Sequence, residues 1–132
     1  MMSKHKLGFS KTLSINYEAA IPKVTEELKK EGFGVLTEID VKDTLKKKLG
    51  VDFKKYKILG ACNPTLAHKA LSMEEEIGLF LPCNVIVYEN EKGQTVVTAL
   101  DPVVALSRIQ NEQLTPVAQE AAQKLQRVMN AL

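Results

Sequence analysis

Two short apolar segments separated by a turn constrain the fold of this chain most strongly. Residues 85–89 and 95–100 are rich in valine, and Asn90-Glu91-Lys92-Gly93 lies between them. Such segments on either side of a glycine-containing turn predict a β-hairpin. Because a connection this short joins antiparallel neighbours, a purely parallel sheet is disfavoured.

The rest of the sequence alternates between strand and helix patterns. The predicted strands are 7–16, 33–39 and 56–62, and the predicted helices are 20–31, 41–50, 64–75, one that begins at Pro102, and 116–132. Three helix starts are indicated by a polar residue followed by proline, at Asn63-Pro64, Asp101-Pro102 and Thr115-Pro116. The order βαβαβαββαα predicts an α+β fold, in which helices pack on one face of an antiparallel sheet.

Length and composition predict one domain over residues 1–132. A chain of 132 residues with 45% hydrophobic residues can bury a core without disulfides. The charged N-terminus lacks the apolar region of a secretory signal, and the longest apolar stretch is interrupted at Pro82. We therefore expect a cytoplasmic protein with reduced cysteines and no membrane partner.

Charge is distributed unevenly along the chain. Residues 1–57 carry thirteen lysines and eight acidic residues, whereas residues 58–132 carry five basic and eight acidic residues. The lysines cluster in residues 42–57 and the acidic run Glu74-Glu75-Glu76 lies in the other half. Complementary patches of this kind predict a homodimer. No arginine lies among these lysines to read bases, so no specific nucleic-acid partner is expected.

The two cysteines define the candidate site. They occur in Cys62-Asn63-Pro64 and Pro82-Cys83-Asn84, at the two ends of one predicted strand–helix–strand unit, with His68 between them. If the strands are antiparallel neighbours, both thiols lie at the same end of the sheet. The candidate ligand-binding residues are Cys62, Asn63, His68, Cys83 and Asn84.

Three interpretations of these residues remain open. Cys62, His68 and Cys83 could bind zinc or another transition-metal ion, although the spacing lacks any CxxC or HxxxH pair. Cys62, before a helix N-terminus, could be a nucleophile with His68 as its base and Asn63 or Asn84 as an oxyanion donor. Alternatively, both cysteines are small buried apolar residues and Asn63 is only a helix cap.

The same region resembles the family called domain of unknown function 302. The resemblance extends over about residues 33–102. It is strongest in Leu59-Gly60-Ala61-Cys62-Asn63-Pro64, His68-Lys69-Ala70-Leu71 and Leu81-Pro82-Cys83-Asn84-Val85. It implies a fold like that of the TATA-box-binding protein, and it implies no activity.

Together these features predict a non-catalytic, homodimeric module that binds a small ligand or acts as an accessory protein. The alanines of the last helix, Ala118, Ala121 and Ala122, leave room for an apolar pocket against the sheet or permit close packing, which we favour. The alternative is a metal- or thiol-dependent enzyme centred on Cys62, His68 and Cys83.

Overall fold

The predicted hairpin lies within a six-stranded antiparallel sheet. A computed structural model describes residues 2–132. The strands are β1 (Met2–Lys4), β2 (Gly8–Leu13), β3 (Gly34–Asp40), β4 (Tyr56–Cys62), β5 (Cys83–Glu89) and β6 (Thr95–Leu100). Their order across the sheet is β1-β2-β6-β5-β4-β3, and every neighbouring pair is antiparallel. Val85 pairs with Ala99 and Glu89 with Thr95, which confirms the hairpin.

The helices follow the strands in a mixed order. They are α1 (Tyr17–Lys30), α2 (Val41–Leu49), α3 (Pro64–Met73), α4 (Pro102–Ala105) and α5 (Leu114–Ala131), and a 3-10 helix covers Glu75–Phe80. None of the helices in residues 2–132 combines the length and the apolar character needed to cross a bilayer. The α+β prediction is confirmed.

The main core lies between the sheet and two long helices. In α1, Tyr17, Ala20, Val24 and Leu28 form one buried stripe at helical spacing. Their partners come from the inner face of the sheet and from the C-terminal half of α5. The largest buried contributors are Phe9, Leu59, Val85, Val87, Val97 and Leu125. This packing fixes the sheet, and so it fixes where β4 and β5 end.

Several predicted boundaries were wrong. Strand β1 was missed, and α1 begins at Tyr17 because Asn16 caps it through its Oδ1, which accepts from the Ala19 N–H at 2.8 Å. The predicted third cap is also wrong. Helix α5 begins at Leu114, before Thr115, and proline at position 116 is tolerated because first-turn N–H groups have no helical acceptor.

Candidate functional site

Cys62 and Cys83 lie at the same end of the sheet. Strands β4 and β5 pair so that Ala61 is opposite Cys83, and Cys62 is the next residue of β4. Both thiols are free and half-buried. The structure thus places the two cysteines at the same end of the sheet, where the order of the elements predicted them.

The two cysteines occupy successive positions at the strand ends, and both line one apolar cavity. Cys83 shares the inner face with its partner Ala61, which is fully buried. Gly60 belongs to the opposite face, where a Cβ would clash with the side chains of Thr37 and Pro82. Strict alternation would put Cys62 on the face of Gly60, but Cys62 is the last residue of β4 and lines the cavity together with Cys83.

Burial controls the chemistry of the inner thiol. It raises the pKa of Cys83 from the usual 9.0 to about 11, and the nearby Cys62 makes a smaller contribution. A buried thiol with this pKa is protonated at neutral pH, and the thiolate is the nucleophilic form. Cys83 therefore behaves as part of an apolar wall.

Asn63 holds two helices together. Its Oδ1 accepts from the Leu66 N–H at 3.2 Å, which caps α3, and its Nδ2 donates to the Glu31 carbonyl at 3.2 Å, beyond the end of α1. Both ends of the amide are thus occupied by the backbone. This bonding accounts for Asn63 as a structural residue.

The other predicted site residues point away from the cysteines. His68 is exposed, and Leu66 and Ala70, on either side of it in α3, are buried. Asn84 is exposed on the outer face, opposite Gly60. Within residues 2–132, no three His, Cys, Asp or Glu side chains are arranged to hold a metal ion. The predicted ligand set Cys62, His68 and Cys83 is therefore not assembled.

The main feature at this end of the sheet is an apolar cavity of about 50 Å³. It lies where the ends of β4 and β5 meet α3, the 3-10 helix, α4 and α5. Its walls are almost wholly apolar and include Ala67, Ala70, Ile77, Phe80, Cys83 and Ala121. Our preference for close packing along α5 was wrong for Ala118 and Ala121, which line this cavity, and right for Ala122, which belongs to the main core.

A second, smaller group of buried side chains surrounds the cavity. We call it the cavity cluster, and it consists of Leu66, Ala70, Ile77, Leu114, Val117 and Ala121. Leu71, which follows Ala70 in α3, is 42% exposed and lies outside it. The cluster was not predicted because its members come from three separate helices, although the spacing of Leu66 and Ala70 marked the buried side of α3.

Beside the cavity, the 3-10 helix presents apolar and acidic side chains to solvent. Leu79 is 82% exposed, and Phe80, which lines the cavity, is 43% exposed. Glu75 and Glu76 are exposed on the same short helix, and Glu74 precedes it. Among residues 2–132, none of these three carboxylates forms an ion pair.

Comparison with known proteins agrees with this fold. The sequence model described as Domain of unknown function DUF302 matches residues 9–132. The chain therefore belongs to the DUF302 family. No curated protein matches it.

A solved structure of another member is very similar. It is described as the crystal structure of an uncharacterized conserved protein DUF302 from Bacillus stearothermophilus. The two sequences are 30% identical, the match covers 94% of this chain and 96% of the other, and the TM-score is 0.87. The likeness thus includes the fold and nearly the whole chain.

Proposed function

We propose that this protein is a non-catalytic, homodimeric binding module of the cytoplasm that holds the apolar part of a small molecule. The observation that carries the proposal is the apolar cavity at the ends of β4 and β5. Ligand sites in proteins are concave and mostly apolar, and apolar voids bind small apolar molecules. The two free cysteines fit a reducing compartment.

The size of the cavity limits the ligand. About 50 Å³ holds a group of a few carbon atoms. The walls offer almost no polar group to orient a charged ligand, and Phe80 is partly exposed at one side. The ligand class is therefore a short alkyl group, free or at the end of a longer molecule.

No specific observation favours the alternative of a metal- or thiol-dependent enzyme. The pKa of Cys83 is raised by burial, which disfavours the thiolate that a nucleophile or a metal ligand requires. His68 is exposed on the side of α3 away from Leu66, so it does not face the cavity. Specific nucleic-acid recognition is likewise not part of the proposal.

Binding of straight-chain primary alcohols, followed by NMR, tests the proposal. Shifts should concentrate at the alanine methyls of the cavity, with saturation. Affinity should increase by about 0.8 kcal/mol for each added methylene and then level off when the cavity is full. Shifts spread over the surface, or none at accessible concentrations, would contradict the proposal.

A pair of variants separates the cavity from non-specific binding. Ala67→Phe places a ring in the cavity from a half-buried position on α3 and should abolish the methyl shifts. Ala131→Phe adds the same ring at an exposed position near the end of α5 and should leave binding unchanged. Equal binding by both variants would show that the alcohols bind elsewhere.

A further inference from the structure

Two ends of the molecule carry opposite charge and matching apolar side chains. The basic end is residues 42–55, which contain six lysines and two aspartates. The acidic end is residues 71–80, which contain three glutamates and no basic residue. Each end is more than an isolated charge run, because each also exposes large apolar side chains.

The exposed apolar side chains at the two ends resemble each other in size. On the basic end, Leu49 is 69%, Val51 45% and Phe53 38% exposed. On the acidic end, Leu79 is 82% and Phe80 43% exposed. Exposed apolar groups bordered by charges are typical of surfaces that contact another protein.

The charges at the two ends differ in how far they are already neutralised. On the basic end, Lys46 pairs with Asp52 and Lys47 with Asp43, both at the surface. Lys55 pairs with Glu18, outside this end, and Lys42, Lys48 and Lys54 leave the positive excess. At the acidic end, the three glutamates form no ion pair with any residue in the range 2–132.

The topology places these ends about 20 Å apart, on opposite ends of β4. Residues 42–55 lead directly into Tyr56, the first residue of β4, and the acidic end follows α3, which begins just after Cys62. A two-fold axis perpendicular to β4 would make two copies antiparallel. The basic end of each copy would then meet the acidic end of the other, and both contacts would form at once.

We infer that a second copy of this chain docks in this antiparallel arrangement, with the basic end of one copy against the acidic end of the other. The inference rests on the proposed homodimer and names its surfaces. Apolar contact of Leu49 and Phe53 with Leu79 and Phe80 supplies most of the affinity. The charges set the orientation, because exposed ion pairs contribute only about 0–1 kcal/mol each.

Charge reversal gives this arrangement a distinctive signature. Glu75→Lys/Glu76→Lys makes both ends basic, and Lys46→Glu/Lys47→Glu/Lys48→Glu makes both ends acidic. Each variant alone should dimerise at least about tenfold more weakly than the wild type in sedimentation velocity. An equimolar mixture should recover the dimer, because each contact in a mixed pair again joins opposite charges.

Matched controls exclude a general effect of charge or of lost apolar surface. Glu26→Lys/Glu120→Lys makes the same charge change at exposed helix positions outside both ends and should dimerise normally. Leu79→Ser should weaken the dimer, whereas Leu7→Ser, at a side chain 62% exposed elsewhere, should not. None of these side chains is buried, so loss of folding is not expected.

The outcomes of the dimer experiments can be distinguished from those of the alcohol-binding experiments. A wild-type protein that is monomeric at high micromolar concentration in low salt overturns the inference, even if it binds alcohols. A dimer that none of the end variants weakens, or whose mixed variants do not recover it, overturns the assignment of these surfaces. A dimer that behaves as described but binds no alcohol contradicts only the cavity proposal.

Discussion

The main core and the cavity cluster share one helix and are built very differently. The C-terminal half of α5 places Leu125, Val128 and Met129 against the sheet, and all are at most 2% exposed. Its N-terminal half places Val117 and Ala121 against α3 and the 3-10 helix, where a cavity remains. A sheet offers a continuous surface for a helix, whereas short helices meeting at their ends do not close the space between them.

This difference separates the region that fixes the fold from the region that leaves space unfilled. The main core fixes the fold, because its buried side chains join both long helices to four strands. The cavity cluster can leave space unfilled because the sheet does not depend on it. The main core therefore holds the cavity in place at the end of the sheet without filling it.

The largest expected effect is the loss of a leucine from the main core. Leu125→Ala should lower the free energy of unfolding by about 4–5 kcal/mol, because a fully buried site cannot collapse. Leu66→Ala, in the cavity cluster, should cost about 2–3 kcal/mol, since its surroundings are already loosely filled. Urea denaturation measures both. Equal losses would mean that the two regions are packed alike.

The second effect is a dependence of stability on alkaline pH that arises at the cavity wall. Because burial raises the pKa of Cys83 from 9.0 to about 11, the folded protein holds this proton more tightly than the unfolded chain. The contribution of Cys83 is therefore fully present below pH 9 and is lost as the pH rises through about 11. The loss is at most about 3 kcal/mol.

Comparison with Cys83→Ala isolates this contribution. Tyr17, whose pKa burial raises to about 12, titrates in both proteins and cancels in the difference. The stability of the wild type relative to Cys83→Ala should be constant up to pH 9 and fall above it. A difference that is flat across that range would show that the thiol is not buried in solution.

Two adjacent alanines of α5, one in the main core and one at the cavity, test whether the two regions differ in packing. Ala122→Leu adds methyl groups to the filled main core and should cost about 1–3 kcal/mol. Ala121→Leu adds the same groups to the cavity and should be neutral or stabilising, while weakening alcohol binding. Thermal and urea unfolding of the two variants would measure the contrast, and the same sign for both would contradict it.

The sequence predicted the elements that are determined by local patterns of residues. The hairpin from 85 to 100 follows from two apolar segments and a short turn, and the caps at Asn63 and Asp101 follow from residue type. Strand β1 was missed because its three residues become a strand only by pairing with β2. Pairing with another strand leaves no pattern in the sequence of the segment itself.

The position of the two cysteines was predicted, whereas the cavity beside them was not. Cys62 and Cys83 lie at one end of the sheet and both line that cavity. The proximity of their strands could be deduced from the order of the elements. The cavity could not, because it results from the space left among several helices that are distant in sequence.

The smallest expected effect concerns His68, which lies on the same helix as Leu66 but on its solvent side. Residues two apart on a helix face nearly opposite directions, so the buried Leu66 and Ala70 place His68 away from the cavity. His68→Ala should change the free energy of unfolding by no more than about 0.5 kcal/mol, as is usual for exposed positions. Alcohol binding and zinc content should equal those of Lys69→Ala, an exposed neighbour. A loss of bound zinc in His68→Ala alone would restore the metal hypothesis and make α3 part of the site.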